Sequence, residues 1–188
     1  MQISDLLEHV HRGQKRKGGE PYTSHLYAVC DILKNEGIKE KTVLDTALLH
    51  DILEDSSISK EYLALKFGDR VADIVEFLTK NIAWNTAYCR TKSNLDEMEM
   101  IWGEYPEAVI IKMADRLHNL RTISGFSLPK QHDYLTETTE CLLPLFTKIL
   151  KKIQVGYFKK YMRGLLTKLK HESRSITKHL TTTYGDQH

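Results

Sequence analysis

The chain has 188 residues, of which 41% are hydrophobic and 28% are charged, and its formal net charge is +2. This length and composition are typical of one soluble globular domain with a sizeable core. No apolar run approaches the roughly 20 residues that are needed to span a bilayer, and the N-terminus lacks the apolar segment of a signal peptide. The sequence therefore argues against a membrane-spanning chain and predicts a cytoplasmic protein.

Apolar residues recur at helical spacing along most of the chain, and convincing strand alternation is absent. Gly37 is expected to end the second helix, and Pro144 is expected to interrupt a later one. A polar stretch over 80–94 is predicted as a loop or irregular helix, and the Ser- and Thr-rich residues 173–188 as a flexible tail. The sequence thus predicts an all-α single domain over 1–172. The predicted helices cover residues 2–12, Pro21 to Gly37, 41–55, 59–67, Asp69 to Leu78, 107–123 and two segments within 130–172.

The basic residues are unevenly distributed along the chain. Residues 145–179 hold ten Lys or Arg and a single acid, Glu172, whereas residues 1–144 hold 17 bases and 23 acids. The favoured interpretation is a solvated face of terminal helices, because the apolar residues here follow helical spacing. A nucleic-acid or membrane surface and a contribution to holding an anionic substrate are the alternatives. No recognisable nucleic-acid-binding motif accompanies the charge, so a nucleic-acid partner is not expected.

The segment "LLHDILEDSSIS", residues 48–59, places an imidazole and three carboxylates beside a leucine-rich run. In a continuous helix of about 3.6 residues per turn, His50 lies over Glu54. By the same spacing, Asp51 lies over Asp55. Repulsion among these carboxylates is unfavourable unless a cation or bound protons compensate for it. The segment therefore predicts a charged site at the end of one helix.

Three further segments carry polar groups: "RGQKRKGGEPYTSH" (12–25), "TK" (79–80) and "IKMADRLHNLRT" (111–122). In the last of them Asp115, Asn119 and Thr122 share one stripe, which predicts a face towards a wet or charged cavity. Imidazole and carboxylate groups suit divalent cations such as Mn, Fe, Co or Zn, and a helix bundle can direct them inward from separate helices.

Each of these residues is weak evidence when taken alone. A buried His25 is more often a hydrogen-bonded core histidine than a metal ligand. Asp115 could pair with Arg116 or Lys112 at the surface, and Arg116 and Arg121 could be structural or could reach a substrate. The combination of segments is what favours a metal site.

Four segments of the sequence, in their order along the chain, resemble the HD-domain hydrolase of the RelA/SpoT alarmone enzymes. These segments are "HRGQKRKGGEPYTSH", "ALLHDILEDS", "FGDRVADIVEFLTK" and "IKMADRLHNLRT". The match covers about residues 4–125, and "YLTETTECLLPLF" (134–146) is weakly similar to the family's continuation. The 188 residues leave no room for the family's separate synthetase domain, so the chain is most similar to the stand-alone small alarmone hydrolases. The resemblance implies a helical HD-domain bundle that acts as a metal-dependent phosphohydrolase.

The resemblance also implies a role for each polar position. It implies one divalent metal ion per chain, usually Mn²⁺ in this family, although other divalent ions suit the same ligands. The implied metal ligands are His25, His50, Asp51 and Asp115. Glu54 and Asp55 fall on the catalytic acidic pair. The expected substrate-binding residues are Arg16, Lys17, Tyr22, Lys80, Asn119 and Thr122.

The implied reaction is removal of the 3′-pyrophosphate from (p)ppGpp, giving GDP or GTP and pyrophosphate. The adenosine alarmones (p)ppApp and the 2′-phosphate of NADPH are alternative substrates, because nothing in the sequence specifies guanine. The alternative from another class is a non-catalytic alarmone sensor or nucleic-acid-binding protein, but the complete ligand set and acidic pair favour catalysis. Where the family has a basic helix, within 81–105, this chain is acidic, and Arg90 and Lys92 are expected to substitute. The expected partner is a nucleotide, and the sequence leaves a homo-oligomer open.

Overall fold

A computed structural model describes residues 2–80, 96, 99–100, 102–154 and 156–184. This part of the chain forms helices and turns and contains no β-strand, which confirms the predicted all-α fold. The loop or irregular helix predicted over 80–94 lies outside the described residues, except for the last residue of α6. In chain order the helices are α1 (Ile3–Val10), α2 (Thr23–Asn35), α3 (Lys41–Leu49), α4 (Ile52–Asp55), α5 (Lys60–Phe67), α6 (Asp69–Lys80), α7 (Pro106–Arg121), α8 (Leu128–Glu137), α9 (Leu143–Lys152) and α10 (Gly156–Tyr184).

Several helix boundaries are set by residues with special backbone properties. Gly37 and Gly68 follow α2 and α5 with φ angles of 96° and 94°, a left-handed region that favours glycine. Ser59 caps α5, because its hydroxyl accepts a hydrogen bond from the Tyr62 N–H at 3.3 Å. Pro106 begins α7, where its missing N–H costs no helical hydrogen bond. These local signals explain why the helices lie close to the predicted ranges.

The helix predicted over 41–55 is divided in the structure. His50 and Asp51 form the turn between α3 and α4. The prediction of one continuous helix over 41–55 is therefore wrong, although His50 and Glu54 remain close enough to interact electrostatically. The Asp55 N–H still donates to the Asp51 carbonyl at 3.0 Å, so the chain returns to helix directly after the turn.

The central element of the fold is α7. Ten of its 16 residues are buried, and it packs against α2, α3, α6 and α10. Its apolar residues belong to the larger of two hydrophobic clusters, and residues of α1–α6 contribute to the smaller one. Leu48, just before the turn between α3 and α4, packs against both clusters. Because α2 and α3 both contact α7, the polar segments of the sequence come together around this central helix.

A π-helical turn, Thr138–Leu142, separates α8 from α9. Pro144 lies in the first turn of α9 and has no N–H to donate to the carbonyl four residues earlier, which explains the predicted interruption at this point. Tyr134 and Glu137, which precede the π-helical turn, line the same cavity as Phe146, which follows it. The interruption thus brings both parts of the segment to the cavity that contains the candidate site.

The structure differs from the sequence prediction over residues 173–184, which belong to the segment predicted as a flexible tail. Helix α10 continues through Tyr184, and Ile176 and Leu180 pack against the larger cluster. The physical reason is their spacing, because they continue the helical stripe that includes the buried Leu169. Threonine hydroxyls in this segment donate to carbonyls four residues earlier in the same helix, so the polar composition is compatible with helix.

The basic region 145–179 is paired in part with acids from elsewhere in the fold. Lys168 pairs with Glu36, which follows α2, and the Lys152 Nζ atom lies 2.7 Å from Glu99 Oε1. These pairs support the interpretation of a solvated structural face. None of the described helices combines the length and the apolar character that crossing a membrane requires.

Truncation after Glu172 is expected to destabilise the protein, because it removes Ile176 and Leu180 from the larger cluster. Loss of this partly buried apolar surface should cost about 1–3 kcal/mol and lower the melting temperature by roughly 3–10 °C. Thermal unfolding followed by circular dichroism measures the change. Equal stability of the truncated and full-length proteins would contradict the packing role of Ile176 and Leu180.

Candidate functional site

Three of the four predicted metal ligands come together in the structure. His25 extends from α2, and His50 and Asp51 form the turn between α3 and α4. One ligand atom from each residue lies within 4.8 Å of the other two. The His50 Nε2 atom is 3.3 Å from Asp51 Oδ1, and the His25 Nε2 atom is 3.8 Å from Asp51 Oδ2. The two imidazoles and the carboxylate, here called the ligand group, are close enough to share one cation.

The hydrogen bond of the His50 ring shows which of its two nitrogens has a lone pair available for a metal ion. Its Nδ1 atom lies 2.8 Å from the Ala47 carbonyl oxygen, which can only accept, so Nδ1 carries the proton and Nε2 carries the lone pair. This Nε2 atom is buried and has no hydrogen-bond partner among the described residues. It faces an Asp51 oxygen that, in the carboxylate, also offers only lone pairs. Two facing acceptors are unfavourable without a proton or cation between them, so the residues fit a divalent metal ion.

The fourth predicted ligand, Asp115, lies on α7 beside His25. Its Oδ1 atom is 3.3 Å from His25 Nε2, although Asp115 does not belong to the compact group of three. The Asn119 amide donates to Oδ1 at 2.6 Å, and the Lys112 ammonium donates to Oδ2 at 3.0 Å. Burial alone would raise the pKa of the Asp115 carboxyl, but Lys112 and His25 hold that pKa well below its ordinary value. Asp115 is therefore an ionised and buried carboxylate next to the ligand group.

The predicted acidic pair is divided between two environments. Glu54 lines the cavity that also borders the ligand group, and burial, followed by the charge of Asp51, raises its pKa to about 7. Asp55 does not line that cavity, and its Oδ2 atom lies 3.9 Å from His11 Nδ1. Burial and Asp51 also raise the pKa of Asp55. Of the two, Glu54 is the side chain placed to exchange a proton within the cavity near neutral pH.

Tyr22 is hydrogen-bonded directly to the ligand group. Its hydroxyl donates to Asp51 Oδ2 at 2.5 Å. Burial and the charge of Asp51 raise the pKa of Tyr22, so the phenol remains protonated and keeps donating. The Tyr22 ring also stacks on His11, with ring centroids 4.8 Å apart. Tyr22 is thus placed to hold the orientation of the Asp51 carboxylate.

Two neighbouring cavities adjoin at Arg16 and Tyr22, which line both of them. The inner cavity, of about 320 Å³, is lined by Glu54 and by His25 and Asp51 of the ligand group. The outer cavity, of about 430 Å³, lies beside the basic loop that precedes α2. The Lys80 side chain lies outside the described residues. Of the other predicted substrate-binding residues, Arg16, Tyr22 and Asn119 line the inner cavity, and Arg16, Lys17, Tyr22 and Thr122 line the outer one.

Long-range hydrogen bonds hold the basic loop against α7. The Arg16 Nη2 atom donates to Asn119 Oδ1 at 2.7 Å and to Thr122 Oγ1 at 3.2 Å. The Lys17 ammonium lies 5.9 Å from the centroid of the Phe126 ring, which follows α7. The loop and the end of α7 therefore form one basic wall that borders both cavities.

The sequence pattern did not indicate His118, which lies directly behind the ligand group. Its Nδ1 atom is 2.8 Å from His25 Nδ1, and the two ring centroids are 4.8 Å apart. Burial, followed by the charge of His25, lowers the pKa of His118 to about 4, so this ring is neutral at physiological pH. The available signal was its spacing, because a residue three positions after Asp115 lies on a neighbouring part of the same helical face.

The sequence pattern also did not predict the wall of the inner cavity that Arg116, Tyr134 and Glu137 form. The guanidinium carbon of Arg116 lies 3.8 Å from the centroid of the Tyr134 ring, and its Nη2 atom donates to Glu137 Oε2 at 2.9 Å. The sequence left open whether Arg116 is structural or reaches a substrate, and these contacts give it a structural role in this wall. The weak similarity of 134–146 to the RelA/SpoT family was the signal that pointed to this segment.

Comparison with known proteins agrees with this geometry. The sequence model of the HD-domain family matches residues 4–148. The chain is 38% identical over 140 residues to a GTP pyrophosphokinase of Streptomyces coelicolor, a match that covers 74% of this chain and 16% of that protein. It is 33% identical over 142 residues to a probable guanosine-3′,5′-bis(diphosphate) 3′-pyrophosphohydrolase of Synechocystis, which covers 74% of this chain and 19% of that protein. The chain therefore spans less than a fifth of the length of these curated relatives.

A solved structure of a metazoan SpoT ortholog, which hydrolyses ppGpp and plays a role in starvation responses, has a similar fold. The TM-score is 0.56 at 23% identity, and the match covers 88% of this chain and 93% of that chain. At this identity the similarity concerns the fold alone. Identities of 38% and 33% to the two curated relatives support homology to the SpoT/RelA enzymes. Because the family model spans most of the sequence and includes the ligand group, the chain belongs to the HD-domain family.

Proposed function

We propose that this chain is a metal-dependent hydrolase that removes the 3′-pyrophosphate from the guanosine alarmones (p)ppGpp, giving GDP or GTP and pyrophosphate. The observation that carries the proposal is the ligand group, of which His25 and Asp51 line the same cavity as Glu54. Arg16 of the basic wall lines this cavity as well. The name of the Synechocystis relative describes this reaction. The name of the Streptomyces relative describes a protein of which this chain matches only 16%, and the HD domain is the hydrolase part of such proteins.

The residues proposed to hold the metal ion are His25, His50, Asp51 and Asp115, with Mn²⁺ as the proposed ion. Two neutral imidazoles and two carboxylates balance one divalent charge, and four protein ligands leave coordination positions for water and a phosphate oxygen. When bound, a divalent ion polarises a phosphate oxygen and lowers the pKa of an adjacent water. The free Nε2 of His50 and the ionised state of Asp115 support this ligand set.

Glu54 is the proposed general base. Burial and Asp51 raise the pKa of Glu54 to about 7, and a bound divalent cation lowers it from there. Glu54 is therefore ionised to a substantial extent at neutral pH and can take a proton from the attacking water. The water oxygen bonds to the phosphorus at the ribose 3′ position. The bond from that phosphorus to the 3′ oxygen breaks, pyrophosphate leaves, and the 3′ oxygen takes up a proton. Asp55 contributes through its charge, which raises the pKa of Glu54 together with burial and Asp51.

The basic wall is proposed to hold the nucleotide. Arg16 and Lys17 offset phosphate charge, and Asn119 and Thr122 contact the sugar and a phosphate. Two adjoining cavities of about 320 and 430 Å³ give room for a reacting phosphate next to Glu54 and for the rest of the nucleotide beside the loop. Tyr22 borders both cavities and orients Asp51. A contact of Lys80 with the anionic part of the substrate stays a prediction.

Arg16→Ala is expected to raise KM for ppGpp by about tenfold to a hundredfold, because charge-assisted hydrogen bonds contribute roughly 1.5–3 kcal/mol each. The guanidinium already bonds to Asn119 and Thr122, so its loss also removes two hydrogen bonds that hold the loop against α7. Initial rates over a range of ppGpp concentrations separate KM from kcat. Arg12→Ala, which removes an exposed base from the same loop region, is the matched control. Unchanged KM in the Arg16 variant would place the nucleotide elsewhere.

The proposed reaction is tested with the Mn²⁺-loaded protein and a panel of ppGpp, pppGpp, ppApp, pppApp and NADPH, with products resolved by anion-exchange chromatography. We expect GDP and pyrophosphate in equal amounts from ppGpp. The adenosine alarmones and NADPH test the alternatives that the sequence left open. Metal-loaded protein that cleaves none of the alarmones, or that releases only inorganic phosphate from them, would overturn the proposal.

A further inference from the structure

We propose that His118 is a positioning residue that places the proton of His25 on Nδ1 and thereby keeps its Nε2 atom free for a metal ion. The inference rests on the proposed function, since it takes His25 as a metal ligand. His118 is not itself in the ligand group, because its Nδ1 atom faces His25 Nδ1 at 2.8 Å, on the opposite side of that ring from the carboxylates. It therefore acts through His25.

The two ligand histidines are held at Nδ1 by different kinds of partner. His50 Nδ1 lies 2.8 Å from the Ala47 carbonyl oxygen, and His25 Nδ1 lies 2.8 Å from His118 Nδ1. In both residues the Nε2 atom faces Asp51. A carbonyl oxygen only accepts, so the backbone determines the tautomer of His50. An imidazole nitrogen can donate or accept, so the tautomer of His25 depends on that of His118.

The carboxylates beside His25 favour the proton position that blocks metal binding. Asp115 Oδ1 lies 3.3 Å and Asp51 Oδ2 lies 3.8 Å from His25 Nε2, and both attract a proton to that nitrogen. A neutral imidazole with a proton on Nε2 has its lone pair on Nδ1 and has none to donate to a metal ion at Nε2. When His118 carries its own proton on Nε2, its Nδ1 accepts a hydrogen bond and draws the His25 proton to Nδ1. His118 thus counteracts the attraction of the two carboxylates for a proton on His25 Nε2.

Burial makes this hydrogen bond hard to replace. His25 is only 2% exposed, so water is not available as a substitute acceptor for its Nδ1–H. Without His118, each metal-bound state would contain a buried and unsatisfied N–H group, and the cost would appear as weaker metal binding. Loss of the outer hydrogen-bond partner of a ligand histidine typically lowers metal affinity about 10–100-fold.

Three variants separate hydrogen bonding from packing. His118→Leu keeps a similar volume without an acceptor, and His118→Asn keeps an acceptor oxygen near the position of Nδ1. His132→Leu, at an exposed position of α8, is the control. Isothermal titration calorimetry with Mn²⁺ is the readout, together with the melting temperature of each metal-free protein. We expect about 10–100-fold weaker binding in His118→Leu, recovery of most of that affinity in His118→Asn, and wild-type affinity in the control.

The proton position is measured separately in wild-type protein loaded with diamagnetic Zn²⁺, by ¹⁵N–¹H NMR of the histidine rings. We expect the His25 proton on Nδ1 and the His118 proton on Nε2. Equal Mn²⁺ affinity of the wild-type and His118→Leu proteins, or a proton on His25 Nε2 in the loaded protein, would overturn the inference. If His118→Leu fails to fold, the NMR spectrum and His118→Asn still decide. Wild-type protein that binds neither ion would refute the proposed function itself, and the inference with it.

Discussion

Asp51→Ala is expected to abolish binding of the divalent ion and to reduce ppGpp hydrolysis by about a thousandfold or more. Asp51 lies beside both histidines of the ligand group, because its two carboxylate oxygens are 3.3 and 3.8 Å from the Nε2 atoms of His50 and His25. A bound ion contributes several kcal/mol of charge stabilisation, and about 1.4 kcal/mol corresponds to each tenfold in rate. His50→Ala should behave in the same way. Bound Mn²⁺ per chain, measured by elemental analysis after gel filtration, and initial rates test both variants.

Tyr22→Phe is the matched control for these two variants. It removes the hydroxyl that donates to Asp51 at 2.5 Å and keeps the ring that stacks on His11. This protein should retain the ion and lose less activity than Asp51→Ala. Far-UV circular dichroism should show normal helical content in all three variants, because the ion is not expected to be needed for folding. Full metal stoichiometry in both Asp51→Ala and His50→Ala would refute the ligand assignment.

Glu54→Gln is expected to lower kcat by about a hundredfold or more while the bound ion is retained. The substitution preserves size but removes the group that accepts the proton in the cavity. Asp55→Asn should have a smaller effect, because Asp55 does not line the inner cavity and acts through its charge. Glu8→Gln, at an exposed position of α1, is the control. Wild-type turnover in Glu54→Gln would leave Glu54 without a catalytic role.

The pH dependence of kcat/KM tests the same group independently. A general base acts in its ionised form, so the rate should fall as the pH decreases through the pKa of Glu54. Burial and Asp51 place this pKa at about 7, and a bound divalent cation lowers it towards its ordinary value of 4.5. The acid inflection is therefore expected between these two values, and it should disappear in Glu54→Gln. An unchanged inflection in that variant would assign the base to another residue.

The helical character of the fold was predictable because it depends on local information. The apolar stripe of α7, the glycines after α2 and α5, and Pro144 before the main part of α9 each act within a few residues of the chain. The Ser- and Thr-rich end of α10 was predicted less well. Its composition suggested a tail, whereas its packing against the larger cluster holds it as helix.

The contacts that shape the site were less predictable, because they join residues that are far apart in the chain. Arg16 bonds to Asn119 across 103 positions, and His25 meets His118 across 93. The turn at His50 interrupts a pattern that reads as one continuous helix. None of these features follows from helical spacing, since each depends on how α2, α3 and the basic loop pack against α7.

The sequence by itself determined the chemical groups and their order along the chain. These groups are two histidines and two aspartates whose side chains can bind a metal ion, an acidic pair, and a basic loop. It also determined that these groups would be carried on helices, because hydrophobic periodicity is a property of neighbouring residues. Only the tertiary structure decided that Glu54, rather than Asp55, lines the cavity, and that the Nδ1 atom of His25 faces a second imidazole. The physical reason is that burial, pKa and hydrogen-bond partners are set by atoms from other helices, and their positions are defined only when the helices pack around α7.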